Sequence, residues 1–331
     1  MSASGKSVSR RWLYIPFIIA GIILFAYFML WRFGANEMEK AVHAWVGDQR
    51  SAGLTVDHGE IKKSGFPFFL RVIIDDPAIA SGNEWRWRGE TLALDALPYN
   101  LNKLIFSPGG EQEFAVNGSG EWQGRADDFR ASIANDETRG WAFALTLGDA
   151  AMTRIADGAS LNVQVLVLDL APAVEDQTTL TLNLAGENIR VIENDAEFVL
   201  DSIKTSIALT QTQYLSLPAP AESWRNAGGA LKIGGFESVI GDAVFNAHGE
   251  IELDAFNYPS GNVNADIKNP AAIVNALGAA GVITMEDAEA AGAGLTLMAL
   301  TSGGKISAPV ELTDGVAMIG GVKIADLTPV Q

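Results

Sequence analysis

The sequence predicts a mainly β protein, a β-rich α+β fold in which an N-terminal transmembrane helix precedes long antiparallel curved sheets and a few short helices. The chain opens with one long apolar run. Most of the rest alternates between apolar and polar residues in short segments, with turn residues about every 8–12 positions, as in antiparallel sheets. Strand and helix patterns do not alternate regularly, which argues against a doubly wound parallel sheet.

The apolar run covers residues 12–33 and carries one charge, Arg32, near its end. At 1.5 Å per residue it measures about 33 Å, enough to cross a hydrocarbon core of about 30 Å. Aromatic residues near both ends match an interfacial belt: Trp12, Tyr14, Tyr27, Trp31 and Phe33. A cleaved signal peptide would have a shorter apolar region, of about 7–15 residues, followed by small residues. We therefore predict an uncleaved membrane anchor.

The charges on either side of the run predict its orientation. Basic residues precede it and acidic residues follow it: Lys6, Arg10 and Arg11, then Glu37 and Glu39. The positive-inside rule then makes residues 1–11 a cytoplasmic tail and places the remainder on the far side of the membrane. We expect a single-pass protein of a Gram-negative inner membrane, with its bulk in the periplasm. A chain without cysteine is compatible with that oxidising space.

The exported part divides by pattern into two β-rich regions, 34–221 and 222–331. The first begins with a short amphipathic helix over 36–49, and a proline-rich stretch at 217–221 marks the boundary. Strand patterns in the first region lie at 54–61, 68–74, 91–97, 114–117, 120–124, 129–133, 141–147, 160–170, 179–184 and 203–209.

The second region is predicted to contain two helices and a terminal hairpin. Pro270 suits the first position of one helix, with asparagine before it as the cap. Thr284 begins a capping-box pattern for a second helix over 285–300. Two last strands, 305–312 and 316–324, flank an Asp-Gly turn.

Composition excludes several classes of function. A formal net charge of −17 repels phosphate backbones, so we expect no nucleic-acid partner. The absence of cysteine excludes disulfides, cysteine zinc sites and thiol nucleophiles. The three histidines show no metal-binding spacing, and the glycines at 118–124 do not match a dinucleotide loop. We predict no catalytic, cofactor-binding or metal-binding residue, although two distant carboxylates could still meet as a glycosidase pair.

Four aromatic residues are candidates for an apolar groove: Phe66, Phe68, Trp85 and Trp87. Trp85 and Trp87 alternate along one strand, so both indoles face the same side. One interpretation is that they cap the core near the phenylalanines. The other is that they line the mouth of an apolar groove near the membrane.

Several short motifs, in their order along the chain, resemble the domain-of-unknown-function 2125 family. They are Ser64-Gly-Phe-Pro-Phe68, Asp76-Pro77, Trp85-x-Trp87, Leu97-Pro-Tyr-Asn100, Trp224-x-x-Ala-Gly-Gly-Ala-Leu231, His248-Gly-Glu-Ile-Glu-Leu-Asp254 and Leu312-Thr-Asp-Gly-Val-Ala-Met-Ile-Gly320. This family is distantly similar to AsmA-like envelope proteins. That resemblance implies a membrane-anchored protein with a long curved sheet, an apolar inner groove and a role in lipid handling, and it transfers no catalytic residue.

Three functions are therefore weighed. The first is a non-enzymatic, membrane-anchored protein that binds phospholipid or another apolar ligand in a groove of the sheet and supports envelope lipid handling. The second is an envelope scaffold that docks a partner protein through a sheet edge. The third is a periplasmic hydrolase, for which no residue stands out.

Overall fold

The computed structural model describes residues 14–136, 140–193, 196–216, 218–279, 284–302 and 304–330. The predicted topology and anchor residues Lys6, Arg10, Arg11 and Trp12 lie outside these ranges. The helices are α1 (Ile15–Ser51), α2 (Pro220–Asn226), α3 (Pro270–Ala279) and α4 (Met285–Thr301), with a 3-10 turn at Thr212–Ser216. The capping prediction for α4 is confirmed, because Thr284 Oγ1 accepts a hydrogen bond from Asp287 N at 3.1 Å.

Helix α1 joins two segments that the sequence pattern separates. The apolar run and the amphipathic stretch at 36–49 form one uninterrupted helix of 37 residues. Its proline, Pro16, causes no break because it lies in the first turn, where the lost backbone donor is unpaired anyway. The helix ends at Ser51; the capping residue Ala52 is followed by Gly53, whose φ of 94° suits a residue without a side chain.

The described residues form seventeen strands in one antiparallel sheet, which confirms the predicted mainly β class. The strands are β1 Thr55–Asp57, β2 Ile61–Ser64, β3 Leu70–Asp75, β4 Ala78–Ser81, β5 Trp85–Leu97, β6 Asn100–Val116, β7 Gly120–Asp136, β8 Gly140–Arg154, β9 Ser160–Pro172, β10 Leu180–Glu193, β11 Ala196–Leu209, β12 Leu231–Ile240, β13 Ala243–Leu253, β14 Pro259–Lys268, β15 Lys305–Thr313, β16 Val316–Ile319 and β17 Val322–Asp326. The predicted last strand is divided at Gly320-Gly321, both at positive φ, so β16 and β17 pair with each other as a hairpin.

From β5 to β17 each strand pairs with the next one in the chain. The other edge of β5 is shared, because β4 pairs with its first half and β3 with its second half. Strands β1 and β2 lie outside β4 and β3, respectively. The sheet also runs across the boundary expected between 34–221 and 222–331, since β11 pairs with β12. The division into two regions stays a prediction.

Helices cover the sheet at two places, and each covered place has a buried core. Under α1, Val42 and Val46 pack against Val72 and Leu94, and Val72 is fully buried. Under α3 and α4, the side chains of the helices and of β14–β16 form a second core: Val274, Ala288, Ala291 and Leu295 with Ala265, Ile267, Ile306 and Ile319. The fold is therefore one long sheet with a helical cover near each end.

Candidate functional site

The two helical covers lie on the same face of the sheet, as the strand register shows. Residues directly opposite each other in an antiparallel pair project to the same side. One unbroken row of such partners crosses twelve strands: Val72, Leu94, Phe106, Ala131, Leu145, Leu168, Leu184, Thr205, Phe236, Ala247, Ala265 and Ala308. The row begins in the core under α1 and ends in the core under α3 and α4.

Two further rows run parallel to the first, one on each side of it. The first contains Leu70, Ala96, Leu104, Ile133, Phe143, Leu170, Leu182, Ile207 and Ile233. The second contains Phe129, Leu147, Leu166, Gly186, Ile203, Ser238, Phe245, Ile267 and Ile306. Apart from the buried Thr205 and Ser238, the residues of these rows are apolar from one helical cover to the other.

Between the covers, the apolar side chains of this face remain partly exposed. We call this part of β7–β11 the floor: Phe129, Ala131, Ile133, Phe143, Leu145, Leu147, Leu166, Leu168, Leu170, Leu182, Leu184, Ile203 and Ile207. In the described part of the chain, α1 contacts β1–β3, whereas α3 and α4 contact β11, β13, β15 and β17. With strands about 4.8 Å apart, the floor measures about 19 Å across. Among the described residues, α3 reaches the β11 edge of the floor, and the helices leave β7–β10 uncovered.

The reverse face of the same strands carries both polar and apolar side chains. A shallow concavity of about 680 Å³ lies on it, over β9–β13. Its lining includes Asp169, Asn183, Lys204, Glu237 and His248. The reverse face of β9–β13 thus mixes polar and apolar groups, whereas the side chains that define the floor are all apolar.

Phe66 and Phe68 lie in the turn between β2 and β3, which packs beside α1. The ring of Phe66 has its centroid 5.4 Å from that of Phe28 and 5.5 Å from that of Trp31. Trp31 Nε1 donates a hydrogen bond to Phe69 O at 2.6 Å, and the Tyr27 hydroxyl donates one to Pro67 O. The predicted belt residues of α1 therefore hold this turn, while Tyr14 and Phe33 are exposed on the helix.

Trp85 and Trp87 lie at the opposite end of β5. Trp87 Nε1 donates to Gln112 Oε1 at 3.1 Å, and Trp87 pairs across strands with Ile79, a neighbour of the α1 core. The other end of β5, where Ala96 pairs with Leu70, is nine residues or about 30 Å away. The structure thus separates the two tryptophans from Phe66 and Phe68, and the role of these four residues in a groove stays a prediction.

Among the described residues, the polar clusters form contacts that stabilise the fold. Arg71 donates two hydrogen bonds of 2.6 Å to the buried Asp95, which raises the pKa of the arginine. The rings of His43 and His58 lie 5.7 Å apart, with His43 exposed and His58 half-buried. Among the described residues, no group of three or more histidine, aspartate or glutamate side chains could hold a metal ion.

The floor is the feature that the sequence pattern did not identify as a site. Its signal is the run at 160–170, which is apolar at every position from Val165 to Leu168. That run predicts a strand buried on both faces, whereas most residues of β9 are half-buried. The floor exists because four registers place apolar residues opposite one another.

Comparison with known proteins agrees with the order of motifs along the chain. The family described as "Uncharacterized protein conserved in bacteria (DUF2125)" matches residues 31–328. No curated protein and no solved structure matches the chain. The further similarity to AsmA-like envelope proteins stays a prediction. Because the match covers nearly the whole sequence, the chain belongs to the DUF2125 family.

Proposed function

We propose that this protein is a single-pass inner-membrane protein whose periplasmic sheet binds the acyl chains of phospholipid on the floor. The observation that carries the proposal is the floor itself, an apolar surface between two helical covers that α3 contacts only at its β11 edge. Exposed apolar areas of this extent mark a binding surface in soluble and peripheral proteins.

The chemistry of the floor favours hydrocarbon over a polar ligand. Its thirteen side chains are all aliphatic or phenylalanine. Transfer of each methylene group from water to such a surface contributes about 0.8 kcal/mol, so a long acyl chain gains several kcal/mol without any hydrogen bond. No catalytic group is needed for this activity.

The position of the anchor supports lipid from the membrane as the ligand. Among the described residues, α1 is the one helix long and apolar enough to cross a bilayer. Its residues beyond the apolar run pack along β3, so the strands extend away from the membrane beside it. At the end of β8 nearest the anchor, Trp141 is 62% exposed in the same alternation as the floor residues Phe143 and Leu145. This end is the point at which a lipid leaving the bilayer first meets the floor.

Photochemical labelling of the full chain tests the proposal. The protein is reconstituted in phosphatidylethanolamine vesicles that contain phosphatidylcholine with a diazirine on one acyl chain, and the adducts are mapped by mass spectrometry. We expect adducts on α1 and also on floor residues such as Leu145, Leu168 and Leu184. Adducts confined to α1 and the turns beside it would overturn the proposal, because labelling of α1 shows that the photoreactive lipid reached the protein.

A pair of variants on β10 provides the matched control. Leu184 lies on the floor, whereas its neighbour Asn183 lies on the reverse face. Leu184→Asp and Asn183→Asp each add one carboxylate, but only the first puts a charge where the acyl chain would lie. We expect Leu184→Asp to abolish the floor adducts and to leave those on α1, and we expect Asn183→Asp to retain both.

The two other functions have less structural support. The outer strands β1, β2 and β17 are only 3, 4 and 5 residues long, and Lys323 on β17 is paired with Asp326 at 2.7 Å. Short, charged outer strands are typical of edges that resist pairing, so docking of an envelope protein by a sheet edge is the weaker proposal. A hydrolase would need a catalytic group, and the described residues offer no candidate cluster for a metal-dependent one.

A further inference from the structure

A second exposed apolar surface lies at the end of the sheet that adjoins the apolar part of α1. It is formed by the turn between β2 and β3 and by the hairpin between β5 and β6. We call it the tip and define it by Phe66, Phe68, Phe69, Tyr99 and Leu101. Phe68 is 73% and Tyr99 83% exposed, so the most apolar residues of these turns point away from the protein.

The contacts of Phe66 fix the level of the tip along α1. Its ring touches those of Tyr27, Phe28 and Trp31. Tyr27 precedes Phe33, the last residue of the apolar run, by six positions. At 1.5 Å per residue, the tip reaches about 9 Å inside the end of that run.

We propose that the tip inserts into the outer leaflet of the bilayer that α1 crosses, as a second point of membrane contact. The inference rests on the membrane anchor of the proposed function but is independent of lipid binding on the floor. A depth of about 9 Å agrees with the 5–10 Å by which interfacial segments typically enter the boundary between headgroups and acyl chains.

In the turn between β2 and β3, several backbone groups are hydrogen-bonded within the protein, as an apolar medium requires. Unpaired N–H and C=O groups cost several kcal/mol each in hydrocarbon, so segments that enter it must satisfy them internally. Phe68 N and Phe69 N both donate to Gly65 O, at 3.0 and 2.9 Å. The carbonyls of Pro67 and Phe69 accept hydrogen bonds from Tyr27 and Trp31 of the helix. The helix therefore supplies partners that water would supply in an ordinary surface turn.

The charge distribution supports the same orientation. Residues 64–70 and 96–102 contain no charged side chain, although 63 of the 331 residues are charged. Turns at the opposite end of the sheet are polar and include Glu84, Asp157 and Asp242. The tip is thus the one end of β3–β6 that can enter lipid without burying a charge.

The absence of cysteine allows a direct test in the full chain. Single cysteines replace Phe68 in the tip, Phe25 in α1 and Ile155 in an opposite turn, and each is labelled with the fluorophore NBD. All three positions are exposed, Ile155 at 53%, so the label disturbs little packing. The proteins are reconstituted in phosphatidylethanolamine–phosphatidylglycerol vesicles with or without lipids that carry a quenching doxyl group on the acyl chain.

We expect Phe68→Cys to show blue-shifted emission and quenching by doxyl lipid, as Phe25→Cys does, and Ile155→Cys to show neither. Tyr99→Cys should behave like Phe68→Cys. Aqueous emission without quenching at both tip positions, with quenching retained at Phe25→Cys, would overturn the proposal. Loss of quenching at Phe25→Cys would instead contradict the anchor and therefore the proposed function.

Discussion

The part of the sheet under α1 and the floor share a face, a register and a side-chain chemistry, but they differ in cover. Val72 and Leu168 belong to the same row of cross-strand partners. Val72 is fully buried by α1, whereas Leu168 remains partly exposed. Whether an apolar strand face becomes a core or a binding surface is thus decided by the helices that the chain places over it.

The largest expected effect is a difference in the free energy of unfolding between a core variant and a floor variant. Leu295 of α4 is 1% exposed, so Leu295→Ala removes buried methylene groups and leaves a cavity in the core, which costs about 2–5 kcal/mol. Leu168→Ala leaves no enclosed cavity and should cost about 1 kcal/mol. Urea unfolding of both full-length variants in mild detergent measures the difference. Equal losses would show that the floor is packed like the core.

A smaller effect tests the helical cover that α3 and α4 form. Thr284→Ala removes the side chain that accepts the hydrogen bond of Asp287 N, which should cost about 1 kcal/mol and loosen the first turn of α4. Amide hydrogen exchange should then rise in α4 and in the core beneath it but not on the floor. Thr296→Ala is the control, because its hydroxyl only bonds Gly292 O within the helix. Unchanged exchange in the Thr284→Ala protein would contradict the role of the cap.

The smallest effect concerns the far end of the floor strands, where charges hold the turn between β8 and β9. Hydrogen bonds from Arg154, and then from Ala159 N, lower the pKa of Asp157 from its ordinary value of 3.8 to about 2. Because the folded-state pKa is depressed, this stabilisation is present above pH 3.8 and is lost as the pH falls through about 2.

Thermal unfolding as a function of pH measures this effect. Asp157→Asn should unfold at a slightly lower temperature than the parent protein at neutral pH, and the two midpoints should converge as the pH approaches 2. The effect should be small, since the carboxylate is exposed and screened by water. A difference that persists below pH 2 would show that the aspartate acts through something other than its charge.

Features that depend on local chemistry could be predicted from the sequence. The apolar length of the anchor, the proline at the start of α3, the cap at Thr284 and the Asp-Gly turn before β16 each follow from a few adjacent residues. Strand lengths could not be predicted in the same way. Strand β6 continues through Pro108, Gly109 and Gly110, which have the composition of a turn, because a register shift between Phe106 and Gln112 accommodates them.

The floor could not be predicted from short stretches of sequence either, because it depends on how several strands pair. The floor requires the registers of β7–β11 together, and a shift of one residue in any of them would move its side chains to the other face. The expected proximity of Trp87 to Phe66 likewise depends on which half of β5 pairs with β3. Since β3 pairs with the second half, the tryptophans lie beside β4 instead.

The uninterrupted helix α1 connects the apolar run to the sheet without a flexible joint. A helix of 37 residues measures about 55 Å, and the core formed with Val72 and Leu94 clamps its second half to the sheet. When a bilayer is thinner than the apolar run, a transmembrane helix responds by tilting. In the proposed membrane arrangement no hinge separates the apolar run from the sheet, so such a tilt would lean the whole sheet toward the membrane plane. The thickness of the surrounding bilayer would then set the height to which the sheet reaches above it.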